Sequence, residues 1–140
     1  MHAGAKTAVD PKSFDADRPG TAYLAPQVLV GAGPDNPIMQ DECFGPVVAI
    51  AKVASDEEAV ANMNDNPFGL TAAIWTSDEE AATRLGDRIE TGTVFMNRCD
   101  YLDPALAWVG VKDSGRGCTL SRVGYEYLTR PKSFHLRTRI

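Results

Sequence analysis

The chain has 140 residues, 44% of them hydrophobic and 24% charged, enough for one domain around one core. Its net charge of -5 argues against a nucleic-acid backbone or an anionic membrane as the main partner. No apolar run approaches the roughly 20 residues that span a bilayer, and the start, Met1 to Lys6, has no signal-peptide core.

Three cysteines, Cys43, Cys99 and Cys118, are an odd set without scaffold spacing. They predict reduced thiols and a cytoplasmic protein. The two histidines, His2 and His135, stand at opposite ends, which argues against a Cys/His zinc site.

In chain order, residues 7–20 are polar and read as loop. Tyr23 to Val30 reads as a strand, with Pro26 marking an edge or bulge. Residues 31–37 form a second loop. Asp41-Glu42-Cys43-Phe44-Gly45-Pro46 then sets a carboxylate beside an aromatic ring and stops at Gly-Pro. A carboxylate can accept two hydroxyl hydrogen bonds from a sugar diol. A ring beside it can pack on a flat heterocycle. Taken alone, the six residues fit an ordinary turn better than a cofactor site.

Val47 to Val53 is β-branched and nearly uncharged, the pattern of a buried strand. Ser55 with Glu58 forms a capping box, Glu58 reaching back to the cap's N–H. Ala59, Val60 and Met63 give that helix its apolar stripe, and Asn66-Pro67 ends it. Leu70 to Trp75 is the next strand. Ser77 with Glu80 repeats the capping box, and Ala81, Ala82, Leu85 and Ile89 carry a second helix to about Glu90. Thr93 to Met96 is a third strand. The alternation from Val47 to Met96 predicts an α/β fold, with largely parallel strands joined by right-handed crossover helices.

Residues 98–107 have no period and read as an ordered loop. Gly110 to Gly117 is glycine-rich but lacks the spacing of a phosphate loop. It predicts a backbone path packed closely against something. Trp108 is a core ring or a pocket wall. Thr119 to Leu128 reads as a short helix, and Ser133 to Ile140 as a terminal strand with Phe134 and Leu136 on one face. Among the thiols, Cys118 is the best placed for reactivity, after Arg116 and before a helix start. A small, unreactive thiol is the favoured reading for all three. The acidic triplets at residues 56–58 and 78–80 complement helix dipoles and need no catalytic role.

Together these pieces resemble the C-terminal portion of an NAD(P)-dependent aldehyde dehydrogenase. The match runs from about Gly4 to the end. It rests on Gly4-Ala5-Lys6, on residues 23–29, 38–46 and 64–70, on Trp75-Thr76, and on residues 92–97 and 110–117 in that order and spacing. The resemblance implies that Glu42 hydrogen-bonds the nicotinamide ribose and that Phe44 packs near the nicotinamide ring. It implies that residues 102–108, with Leu102, Leu106 and Trp108, line the aldehyde tunnel. Asn97 and the glycine-rich segment would be structural. Residues 132–140 would form an oligomerisation strand, pairing into a neighbouring subunit's sheet.

The resemblance also implies what the chain lacks. The family's cysteine nucleophile, its oxyanion-hole amide, its glutamate base and the Rossmann-like half that holds the adenosine all lie upstream of Gly4. None of the three cysteines matches the nucleophile. Cys118-Thr119 stands where the family often has Arg-Glu. The expectation is a single partial catalytic domain over residues 1–140, holding part of an NAD or NADP site and part of an aldehyde site. Its partners would be a missing N-terminal half or further subunits, and alone it would be inactive. A second reading is a non-catalytic module that associates with full-length subunits through its last strand.

Overall fold

The computed structural model describes residues 4–140; the first three residues, His2 among them, lie outside it. The chain divides into two compact units, one up to Asn66 and one from Pro67.

The first unit is built on a three-stranded sheet in the order β1-β2-β3. Strand β1 (Lys6–Thr7) runs antiparallel to β2 (Gln27–Val30), and β2 runs parallel to β3 (Val47–Ile50), from Gln27 opposite Val47 to Val30 opposite Ile50. β2 is shorter than the Tyr23 to Val30 expected. Pro26 has no N–H for the ladder, and pairing begins where Gln27 N–H meets the Pro46 carbonyl at 2.8 Å. β1 was not anticipated and takes in Thr7, the first residue of the expected loop, because two residues carry no visible alternation.

β3 is also shorter than expected, and it is not buried on both faces. Val48 and Ile50 are 55% and 52% exposed, whereas Val47 and Ala49 are half-buried. One face of the strand is exposed among the described residues of this unit.

Helix α1 (Pro37–Gln40) is a single turn that the loop reading did not include. Asn36 caps it, its side chain accepting from Ile38 N–H, and Pro37 supplies a preset first turn. Helix α2 (Asp56–Asn64) starts as expected on Ser55, whose hydroxyl accepts from Glu58 N–H at 3.2 Å. The Glu58 carboxylate reaches one residue further back than expected, to Ala54 N–H at 2.8 Å. Of the stripe, Val60 is buried, Ala59 half-buried and Met63 exposed.

The second unit holds two parallel strands, β5 (Thr71–Ile74) and β6 (Thr93–Met96), paired Thr71 opposite Thr93 to Ile74 opposite Met96. Helix α3 (Glu79–Gly86) connects them. Its cap is Asp78 rather than Ser77: the Asp78 carboxylate accepts from Ala81 N–H at 2.9 Å. The helix stops at Gly86, short of Glu90. Ala72, Ala82, Ile89 and Phe95 form the buried core.

A second, antiparallel pair joins β4 (Phe68–Gly69) to β7 (Val111–Lys112). Helix α4 (Ser121–Tyr127) follows. Residues 129–140 carry no helix and no ladder, and Phe134, Leu136 and Ile140 are exposed. The expected strand over residues 133–140 therefore has no ladder partner among the described residues.

The α/β class holds, with parallel pairing in β2/β3 and β5/β6. β3 takes β2 as its parallel partner and β5 takes β6. No described helix is long and apolar enough to cross a membrane.

Candidate functional site

The first group of candidate residues sits on the connection from α1 to β3, and that connection is anchored at both ends. On the α1 side, Asp41 N–H donates to the Pro37 carbonyl at 2.7 Å. The Gln40 side-chain amide donates to the carbonyls of Pro34 and Asp65 at 3.1 and 2.8 Å. On the β3 side, Gly45 N–H meets the Cys43 carbonyl at 3.0 Å and Val47 N–H the Gly45 carbonyl at 2.8 Å.

These bonds turn the chain tightly and throw the intervening side chains outward. Phe44 is 97% exposed. Burying a phenylalanine ring is worth about 1.5–3 kcal/mol, so a ring held out on an anchored turn leaves that gain unrealised until something covers it. Glu42 and Cys43 are exposed as well. The Glu42 carboxylate has no hydrogen bond or ion pair among the described residues, and all its acceptor capacity is available.

The second group lies on the loop after β6. Asn97 opens it in the left-handed region, at φ 55. Its side-chain oxygen accepts from Thr76 N–H at 3.0 Å and its amide donates to the Thr76 carbonyl at 2.8 Å. Asn97 N–H donates to the Ile74 carbonyl at 3.0 Å. The side chain acts as one more rung beyond the β5/β6 ladder, and the loop leaves from a fixed point.

Leu102 and Leu106 are 56% and 63% exposed on that loop. A turn at Asp103 holds them: its carboxylate accepts from Ala105 N–H at 2.9 Å and its carbonyl from Leu106 N–H at 3.0 Å. Trp108 is half-buried and exchanges both backbone hydrogen bonds with Thr119, at 2.8 and 2.9 Å. Leu102, Leu106 and Trp108 thus share one anchored loop, as Glu42 and Phe44 share another, and each group belongs to its own unit.

The glycine-rich segment is a packed backbone path, as its composition predicts. Gly69 N–H donates to the Ser114 hydroxyl at 2.9 Å, and Asp113 N–H to the Pro67 carbonyl at 2.9 Å. A Cβ on Gly92 would overlap the Val109 carbonyl oxygen. Lys112 pairs with Glu90 at 2.9 Å. Both the β4/β7 ladder and this pair join residues far apart in sequence, and no local pattern announces them.

The three cysteines are free. Cys43 and Cys99 are exposed; Cys118 is half-buried, its thiol 3.4 Å from the Thr119 carbonyl. Cys118 borders a cleft of about 480 Å³ with Pro104, Leu120, Tyr125 and Leu128. None of the three has a histidine or an acidic residue as a hydrogen-bond partner among the described residues.

Residues 1–134 match the aldehyde dehydrogenase family, and the chain belongs to it. It is 45% identical over 102 residues to an aldehyde dehydrogenase of Paenarthrobacter nicotinovorans, covering 73% of this chain and 22% of that protein. It is 42% identical over 108 residues to a probable succinate-semialdehyde dehydrogenase (NADP(+)) of Synechocystis sp., covering 77% of this chain and 24% of that one. Among solved structures, it superposes on succinic semialdehyde dehydrogenase from Streptococcus pyogenes in complex with NADP+. That match has TM-score 0.77 and 38% identity, and covers 87% of this chain and 26% of the other. Betaine aldehyde dehydrogenase from Staphylococcus aureus in complex with NAD+ matches at TM-score 0.76 and 30% identity, over 89% of this chain and 25% of the other. The chain spans about a quarter of the length of these relatives.

Proposed function

We propose that this chain supplies the nicotinamide-ribose contacts and part of the substrate tunnel of an enzyme that oxidises an aldehyde to a carboxylic acid with NAD(P)+. The observation that carries this reading is the anchored 41–46 turn, which presents an unpaired carboxylate and a fully exposed ring two residues apart. That donor set fits the cofactor's nicotinamide end: Glu42 accepts from the ribose hydroxyls, and Phe44 lies against the flat ring and limits its tilt. NAD(P)+, when bound, accepts the hydride that the aldehyde loses. Leu102, Leu106 and Trp108 line the path of the aldehyde and keep water from it. The nucleophile is none of Cys43, Cys99 or Cys118.

Residues 132–140 serve as the contact with a second subunit. The segment's exposed Phe134, Leu136 and Ile140, and its unpaired backbone, suit strand addition to another chain's sheet edge. That feature also favours the second reading, a non-catalytic module that associates with full-length subunits.

The test joins this segment to the remainder of a full-length relative and measures NAD+-dependent aldehyde oxidation. Glu42→Gln is expected to raise the KM for NAD+ about tenfold or more, the loss of a charge-assisted hydrogen bond. Phe44→Ala is expected to lower kcat more than it raises that KM. An active chimera indifferent to both substitutions would sink the assignment. Activity that survives replacement of all three cysteines by serine is expected; its loss on Cys118→Ser alone would make that thiol the nucleophile. Native mass of the 140-residue chain reads the subunit contact: a strict monomer at tens of micromolar contradicts it.

A further inference from the structure

We infer that the basic segment at residues 132–140 adds as a strand to the free edge of β3 in a second copy of this chain, an inference that rests on the subunit-contact reading above and names its receiving surface. β3 is the outer strand of its sheet, laddered to β2 alone. Val48 and Ile50 lie opposite Val28 and Val30, and more than half of each is exposed. A β-branched residue with a neighbour on one side only gains a cross-strand contact when a strand is added. The other strands offer less. β4 and β7 have two residues each, and β5 and β6 expose only Thr71 and Val94.

Charge decides which segment suits that edge. Up to Asn66 the chain carries ten acidic residues against four basic, a net charge of -6. From Pro67 to Leu128 the balance is nine against six, or -3. Residues 129–140 carry four basic residues, Arg130, Lys132, Arg137 and Arg139, and no acidic one. None of the four makes an ion pair among the described residues. Two copies of the first unit meeting edge to edge would bring like charges together. The basic segment brings the opposite sign to the more acidic unit. Exposed acidic residues stand at both ends of β3, Asp41 and Glu42 before it and Asp56, Glu57 and Glu58 after it.

The side-chain pattern agrees with the charge. Phe134 and Leu136 alternate with His135 and Arg137, so one side of an extended strand is apolar and the other basic. The apolar side lies beside Val48 and Ile50, where aromatic and β-branched residues pair well. No proline follows Pro131, so every N–H from Lys132 on is available to a ladder. Each copy has one such segment and one such edge. Two copies that trade segments satisfy both and close a dimer.

The test uses the 140-residue chain. Sedimentation gives the dimer Kd, and amide hydrogen exchange locates the contact. A dimer is expected, with amides of residues 47–50 exchanging at least about tenfold more slowly than in Leu136→Asp. Leu136 is exposed and outside every ladder, so that variant leaves the fold intact. Leu136→Asp and, on the receiving side, Ile50→Lys are each expected to raise Kd at least about tenfold. Arg137→Glu with Arg139→Glu is expected to raise it at least about fivefold, and less at 0.5 M salt. A dimer indifferent to these substitutions overturns the inference. So does one whose protection falls on residues 71–74 or 93–96, although the subunit-contact reading then stands. A monomer whose β3 amides are protected by its own segment overturns the second copy as occupant. A monomer that binds a full-length relative does so too, and favours the module reading. A monomer with neither property overturns the inference and the subunit-contact reading together.

Discussion

Asn97 is the position where one substitution series separates hydrogen bonding from backbone strain. Its side chain makes two bonds to Thr76, at 3.0 and 2.8 Å, from a backbone at φ 55. Each such bond contributes about 0.5–1.5 kcal/mol net, and Asn97 is exposed, so the lower half of that range applies. Both bonds together give about 1–2 kcal/mol. A side chain that tolerates the left-handed region less well adds about 1 kcal/mol. Asn97→Ala loses both terms and is expected to cost about 2–3 kcal/mol. Asn97→Gly loses the bonds but relieves the strain, and is expected to cost about 1 kcal/mol less than alanine. Asn97→Asp keeps the acceptor for Thr76 N–H and turns a carboxylate on the Thr76 carbonyl, so it falls between them. Urea unfolding followed by circular dichroism gives the order, with Trp75 fluorescence as a probe beside the clasp. If alanine and glycine are equally destabilising, the strain argument is wrong. If both lie within about 0.5 kcal/mol of the parent chain, the clasp contributes nothing to stability.

Gly92→Ala drives a Cβ into the Val109 carbonyl, backbone against backbone. It is expected to cost about 3 kcal/mol or more, seen as lost soluble yield. Gly86→Ala meets the Val94 side chain, closest at Cγ1, 3.2 Å away, within a helix, and is expected to stay within about 1 kcal/mol of the parent chain in the same unfolding assay. Asp78→Ala removes the cap of α3 and is expected to cost about 1 kcal/mol, whereas Ser77→Ala costs under about 0.5; the reverse order in thermal melts would restore Ser77 as the cap. Phe95→Ala, at 9% exposure, is expected to cost about 3–5 kcal/mol, and Val48→Ala, already 55% exposed, under about 1 kcal/mol by urea midpoint.

The elements that local chemistry dictates were legible. Ser55 and Glu58 mark the start of α2 because a cap is made within four residues. Pro26 was legible as an edge or bulge but not as the limit of β2, which starts at Gln27 rather than Tyr23 because Pro26 has no N–H for the ladder. The α3 cap was misplaced by one position because Ser77 and Asp78 are both good caps, and the choice between them depends on how the chain leaves β5. The β4/β7 ladder was invisible for a different reason. Each strand has two residues, and the pairing spans more than forty positions of sequence, so neither periodicity nor composition records it. What the glycines did record was the close approach in residues 110–117, where a Cβ on Gly110 would crowd the Ser114 carbonyl, without naming the surfaces that meet.

The candidate site follows the same division. The residue types at Glu42 and Phe44 were readable, and family resemblance gave them roles. Their exposure was not readable, because a Gly-Pro turn before a strand ordinarily tucks an aromatic ring inward. Only the bonds on either side, from Gln40 to Asp65 and from Gln27 to Pro46, fix the turn so that Phe44 stands out at 97% exposure. An exposed phenylalanine on a mobile loop is ordinary. One on a turn pinned at both ends keeps a ready-made apolar face in water at a cost the fold does not recover by itself. The proposed cofactor reading rests on that pinned, exposed ring. Glu42→Gln and Phe44→Ala test that reading on binding rather than on stability, since neither side chain supports the fold that displays it.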